Sequence, residues 1–311
     1  MLTKREEMKT YTKYYKVAGI TVQVNSNYPI SEKTFHPKFK LFETDGLGND
    51  NIILNHHFYL PDTLDSSCSK KTEIYNKNQW HIFKTQDSWI YKYTPVLSED
   101  PGHPAIGKFS EDHTVVDIYS DAISEEYYKN AQFSALTLFN TDQVLFAKIL
   151  SDRKGLIIHS NGFNISGKGI LLTGDSGAGK STLSQMLKQK GFEILCDDRM
   201  FVKCFKNDFW IHGHWCHGTV PDVSSTSVPL KAIFFLEQAK NNTILKIEDK
   251  KTLSLDLFQS IVKPFLTPNG WDATFTILEE IIQQIDCYTL KFNLDGDICD
   301  KICNLMENYQ S

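Results

Sequence analysis

Nine consecutive residues carry the clearest chemistry in the chain. Gly174, Asp175, Ser176, Gly177, Ala178, Gly179, Lys180, Ser181 and Thr182 contain the spacing Gly-x-x-x-x-Gly-Lys-Ser, which suits a loop that wraps a polyphosphate. Glycines let the backbone turn sharply and come close to an anion where a Cβ would intervene. The backbone amides and a helix N-terminus then face the phosphates, Lys180 reaches the outer ones, and the Ser181 hydroxyl suits Mg²⁺. This pattern predicts a nucleoside triphosphate as ligand.

Three more groups have the right chemistry near it. Asp197 and Asp198 follow the apolar run Phe192–Cys196, sixteen residues beyond Ser181, where a carboxylate is expected to serve a metal ion. Two adjacent acids at a strand end can divide labour, one on metal and one accepting a proton. His159 closes another apolar run just upstream; by itself a lone histidine there reads as structural. His212, His214, Cys216 and His217 crowd one short segment, but their spacing fits no standard zinc site. Arginines stand only at 5, 153 and 199, so a cationic group for transition-state charge comes from Arg153, Arg199, Lys180 or Lys231.

The elements that must position these residues can be read from periodicity. Lys168–Thr173 is a short apolar run that predicts a buried strand, and Leu183, Met186 and Leu187 mark a helix stopped by Gly191. Leu156–His159, Phe192–Asp198 and Ala232–Glu237 read as further strands of an α/β unit. Trp271–Gln284 reads as a helix, Cys287–Phe292 as a strand and Asp295–Glu307 as a last helix. Upstream, Ile20–Val24, Lys40–Glu43, Asn51–Leu54, Thr72–Tyr75, Trp80–Phe83, Ser88–Tyr93 and Thr114–Tyr119 suggest an antiparallel, β-rich lobe. Ser98–Pro104 reads as a loop, and Phe133–Leu150 as one or two amphipathic helices. The expected division is a β-rich N-terminal domain over 1–130 and a nucleotide-binding domain over 131–311.

From His159 to Val202 the chain resembles the HPr kinase/phosphorylase family, which shares its core with ATP-dependent phosphoenolpyruvate carboxykinases. The resemblance rests on His159 fifteen residues before Gly174, on the loop Gly-Asp-Ser-Gly-x-Gly-Lys-Ser at 174–181, and on Asp197-Asp198 at the later strand end. It implies an α/β P-loop core of that type, ATP and Mg²⁺ as cofactors, and phosphoryl transfer to a hydroxyl. It also implies that His159 orients the phosphoryl site, that Asp197 is the base, and that Asp198 joins Ser181 on magnesium. Lys180 would stabilise the transferring group. Thr182 stands where HPr kinases carry Glu, and the N-terminal lobe does not match theirs, so the chain is not expected to be a bona fide HPr kinase. Segments 213–218 and 228–236 look like HPr-kinase-like bacterial proteins, some of which accompany gene clusters for modified peptides. The implied acceptor is a serine of a peptide or small protein, or a small molecule, and homo-oligomerisation is implied by the family alone.

Composition narrows the classes. A net charge of −5 offers no basic surplus for nucleic acid, and no apolar run approaches a membrane span. Seven irregularly spaced cysteines suit free thiols, and the charged start lacks a signal segment, so a cytoplasmic location is expected. Two other readings compete with a kinase. One is a non-catalytic ATP-binding accessory protein for peptide maturation; the other is a carboxykinase-like enzyme, which would want extra basic anchors for its anionic substrate.

Overall fold

Alternating apolar and polar residues build the first part of the chain into a sheet, whereas continuous apolar runs build the second into a layered sheet buried on both faces. The computed structural model describes residues 9–62, 64, 72–77, 79–95, 103–139, 141–216, 221–263, 268–293 and 297–309. The chain divides into two compact units, Met1–Leu145 and Phe146–Ser311.

The first unit holds β1 (Tyr11–Val17), β2 (Ile20–Ser26), β3 (Glu43–Thr44), β4 (Asn51–His57) and β5 (Thr72–Lys77). It continues with β6 (Trp80–Lys84), β7 (Ser88–Tyr93), β8 (Ala105–Ser110), β9 (Val115–Tyr119) and the short helix α1 (Glu125–Asn130). The strand order is β3-β1-β2-β4-β9-β8-β7-β6-β5. An antiparallel lobe was expected, but β2–β4 and β4–β9 run parallel, so the sheet is mixed. Parallel neighbours need long crossovers, and residues 27–50 supply one. Within that crossover Pro37–Phe42 is a 3₁₀ turn, which corrects the strand expected at 40–43. His36 Nδ1 accepts the Lys38 amide at 3.3 Å, Pro37 starts the turn, and Phe39 and Phe42 are buried.

Of the one or two helices expected over Phe133–Leu150 one forms, and the stretch before it is irregular, with φ of 50° at Gln132 and 57° at Leu138. The Asp142 carboxylate there accepts the Leu136 and Thr137 amides at 2.8 and 2.9 Å, bonds that replace a helical ladder. Only α2 (Gln143–Ser151) is helical.

The second unit runs β10 (Gly155–Ile158), β11 (Ser160–Ile165), β12 (Lys168–Thr173), α3 (Lys180–Gln189), β13 (Glu193–Cys196), β14 (Met200–Phe205) and β15 (Asp208–His212). Then come β16 (Ser227–Gln238), β17 (Thr243–Lys246), α4 (Lys250–Ser260), α5 (Pro268–Gln284), β18 (Asp286–Phe292) and α6 (Asp297–Glu307). Strand order is β10-β14-β15-β16-β12-β11-β13, with β18 also paired to β16 and β17 to β18. β16 runs parallel to both β12 and β18, with which it pairs.

Alternation along the central strands sorts the core into two layers. Leu171 and Ile233 pack with Leu253, Leu257, Ile277 and Ile281 of α4 and α5. Ile170, Leu172, Ala232 and Phe234 pack on the opposite face with Leu183 and Leu187 of α3 and Ile298 and Ile302 of α6. Truncating a buried leucine such as Leu172 to alanine costs about 2–5 kcal/mol. This mixed α/β sandwich brings the C-terminal ends of β12, β13 and β16, and the start of β11, to one end of the sheet. Among the described residues no helix is long and apolar enough to cross a membrane.

Candidate functional site

The glycine loop occupies the turn between β12 and α3. Gly179 is the N-cap of α3 with φ of 101°, and no side chain caps the helix, so its first-turn amides have no capping acceptor. A Cβ on Gly179 would lie 2.6 Å from the Phe292 ring, and the positive φ adds strain for any other residue. Gln238 at the end of β16 donates its Nε2–H to Gly177 O at 2.8 Å and steadies the loop. The Lys180 ammonium folds back to donate to Gly174 O at 2.7 Å and Asp175 O at 3.2 Å. Burial lowers the Lys180 pKa, and Asp175 and Asp197 oppose that shift. Ser181 is half-buried in the same turn, and Thr182 is exposed.

The two aspartates at the end of β13 have different surroundings. Asp197 is 2% exposed and accepts a hydrogen bond from Asn161 Nδ2. Asp198 has φ of 89°, a region costly for a residue with a Cβ. Its side chain is half-buried, with Oδ1 2.8 Å from His159 Nε2 and Oδ2 paired to Arg199. Burial chiefly, then Lys180 and Arg199, lowers the His159 pKa. A neutral imidazole donating Nε2–H to the carboxylate accounts for the 2.8 Å contact. The His159 backbone is pinned by its N–H to Ser260 O at 2.6 Å and by Thr173 Oγ1 to its carbonyl at 3.2 Å.

Beside His159 and the start of the loop lies a cleft of about 320 Å³ between the end of β16 and α4. Among the described residues its walls include Asp175, Glu237 and Asp256 and no lysine or arginine. Burial raises the Asp256 pKa, and Asp175 and Glu237 add to the shift.

The sequence-predicted residues therefore converge in part. His159, Asp198 and Arg199 touch, and Asp197 acts electrostatically on both Lys180 and His159. Arg153 does not join them, since its guanidinium donates to Ile149 O of its own segment at 3.3 Å. Lys231 lies within β16, five residues before Leu236 at the site, a run of roughly 16 Å at 3.3 Å per residue.

The described part of the histidine-rich segment packs into the fold. His214 is fully buried, stacks on Phe201 at 3.9 Å and bonds the Arg199 carbonyl through Nε2 at 2.6 Å. His212 bonds Ser227 Oγ at 2.7 Å, and burial lowers its pKa to about 4. Cys196 Sγ bonds the Cys216 carbonyl. His217 lies outside the described residues. Among those described, no group of three or more His, Cys, Asp or Glu is placed to hold a metal ion.

Sequence reasoning missed Asn161, Ser184 and the strand β11 that carries Asn161. Asn161 is 1% exposed and donates to Ser184 Oγ at 2.7 Å as well as to Asp197. Ser160, Asn161 and Asn164 interrupt the apolar pattern of β11 and disguise it. A polar residue two positions after a site histidine was the available signal.

The chain is similar to the HPr kinase/phosphorylase of Lachnoclostridium phytofermentans, 27% identical over 144 residues. That match covers 43% of this chain and 44% of the relative, so the chain spans less than half the length of the relative it matches. The solved structure of the Hpr(Ser) kinase/phosphatase from Coxiella burnetii aligns over 49% of this chain and 99% of that chain, at 15% identity and a TM-score of 0.29. The relationship is HPr kinase-like. Residues 126–307, more than half of the chain, match the family described as "SynChlorMet cassette protein ScmC", and the chain belongs to that family.

Proposed function

We propose that the second unit is an ATP-dependent phosphotransferase with a P-loop core that passes the γ-phosphoryl group to a hydroxyl. The observation carrying this reading is the gathering of Lys180, His159, Asp197 and Asp198 at one sheet end around a loop whose helix N-terminus lacks a side-chain cap. Loop amides from Gly177 to Ser181 and the Lys180 ammonium hold the β- and γ-phosphates; Lys180 leaves its contacts with Gly174 O and Asp175 O to do so.

The donor set fits Mg²⁺. The ion favours hard oxygens, one or two from protein and the rest from phosphates and water, and Ser181 with an aspartate supplies these. When bound, Mg²⁺ neutralises charge on the phosphates. Exposure supports dividing the aspartates in the opposite way from the family likeness. Asp197, buried and acting on Lys180, suits the metal side. Asp198, only half-buried and paired with His159 beside the cleft, suits the proton acceptor. His159 orients that carboxylate, and Arg199 moves from Asp198 to the developing phosphoryl charge.

The acceptor enters the cleft beside His159, where three carboxylates disfavour an anionic substrate and so weaken the carboxykinase reading. Membership of a cassette family supports an acceptor supplied by a neighbouring gene, such as a peptide. The β-rich first unit is the natural place to select it. Transfer of label from γ-³²P-ATP to the product of a neighbouring reading frame, with Lys180→Ala as control, tests the reading. ATP binding without transfer to peptide, small molecule or water leaves an accessory binding role instead.

A further inference from the structure

Asn161 is the most completely used polar side chain near the site. It sits on β11, 1% exposed, with no solvent to replace a lost partner. One Nδ2–H goes to Ser184 Oγ at 2.7 Å and the other to Asp197 Oδ1, while Oδ1 accepts the Asp198 amide at 3.0 Å. Ser184 in turn donates its hydroxyl to Lys180 O at 2.9 Å. The amide cannot be turned round, because its oxygen would then meet two oxygens and its NH₂ would meet an N–H. Aspartate at this position would lose both donors and set a third carboxylate beside the pair.

These bonds form a continuous path from the first turn of α3 to both aspartates. The same Oδ1 accepts the amide of Asp198, whose φ of 89° is costly for a residue with a Cβ. We infer that Asn161 is a positioning residue that couples occupancy of the glycine loop to the placement of Asp197 and Asp198, with Ser184 as the intermediate. The inference rests on nucleotide binding at the loop. A ligand drawing on the amides around Lys180 moves that first turn, and a buried, fully bonded relay passes the movement on rather than absorbing it.

Hydrogen exchange with and without ATP tests the coupling, using full-length wild type, Asn161→Ala and Ser184→Ala. Expected in wild type is ATP-induced protection at both 177–182 and 197–199. Asn161→Ala keeps the first response and loses most of the second, with ATP affinity within about threefold and turnover down roughly 10- to 100-fold. Ser184→Ala, which spares the aspartates' own bonds, shows the same pattern more weakly and serves should the first variant fail to fold. A role in stability alone predicts a lower Tm with the ATP response at 197–199 intact, and that result overturns the inference. Wild type that shows no ATP binding removes the nucleotide reading itself, and the coupling with it.

Discussion

Two of the side-chain hydrogen-bond chains in this molecule, one in each unit, run through Asn and Asp. In the first unit Thr12 donates to Asn25, Asn25 to Asn55 and Asn55 to Asp117, at 2.9, 2.9 and 3.1 Å. Each pair stands directly opposite in the strand register, so the chain is a ladder along one sheet face. His57 closes it at 3.0 Å from Asp117 and, as the largest effect, holds that carboxyl below its usual pKa. No residue of this ladder has a positive φ, and water reaches most of it. In the second unit, Asn161, Asp197 and Asp198 lie at strand ends and Ser184 within α3, nearly all are buried, and one of them has a strained backbone. The contrast teaches that a polar chain along a sheet face can stay wet and unstrained, whereas the one near the glycine loop is buried and includes a strained residue.

The sharpest way to break the comparison is to remove the charges of the second chain. Lys180→Ala and Asp198→Asn should each lower phosphoryl transfer by about 10²-fold or more. Fluorescent-nucleotide titration should show weaker ATP binding for Lys180→Ala and near wild-type binding for Asp198→Asn. If Asp197→Asn instead abolishes transfer while Asp198→Asn keeps it, the two aspartates exchange roles.

Gly179→Ala should weaken ATP binding by about tenfold or more, measured by calorimetry, because the new Cβ meets Phe292 and the φ of 101° remains unfavourable. Phe292→Leu in the same chain should restore only part of it, since the added space does not change the φ.

pH separates the units through their histidines. His56 is buried in the first unit between Tyr128 Oη and Leu136 O, and desolvation lowers its pKa to about 3. A histidine whose folded pKa is depressed favours the folded state above its unfolded pKa, and that contribution is lost as pH falls. Urea melts should show a loss on the order of 3 kcal/mol between pH 6.5 and 4, reduced in His56→Gln. His159 is also lowered, so turnover should hold through neutrality and fall only below about pH 6.5, the ordinary histidine value. His159→Asn should remove that acid limb.

The smallest effect is expected in the first unit's ladder. Asn55→Ala should cost about 1 kcal/mol in a denaturant melt and leave ATP affinity unchanged. A loss of ATP affinity would show that the ladder is not merely structural.

Much of the second unit was legible in order. The apolar run to Thr173, the glycine loop and the helix to Gln189 followed from local pattern, as did β13, β16, β18 and the last two helices. The strand β11 was not legible, because Ser160, Asn161 and Asn164 look like loop residues until both of its neighbours are known. The mixed sheet of the first unit was hidden for a related reason, since a strand's alternation is the same whether its partner runs parallel or antiparallel. Of the one or two helices foreseen over Phe133–Leu150 only the later formed, since before it the Asp142 carboxylate takes the amides of Leu136 and Thr137.

What the sequence determined by itself was the chemistry: a glycine loop ending in Lys180 and Ser181, two acids at a strand end, and a histidine at a set distance before them. These depend on residue type and short spacing, which the chain states directly. Only the tertiary structure decided which aspartate is buried, that Arg199 reaches the Asp198 carboxylate that also meets His159, and that Asn161 joins the loop helix to both acids. Those outcomes depend on contacts between β11, β13 and α3, whose residues stand more than twenty positions apart, and burial and strain exist only once such distant segments are packed together.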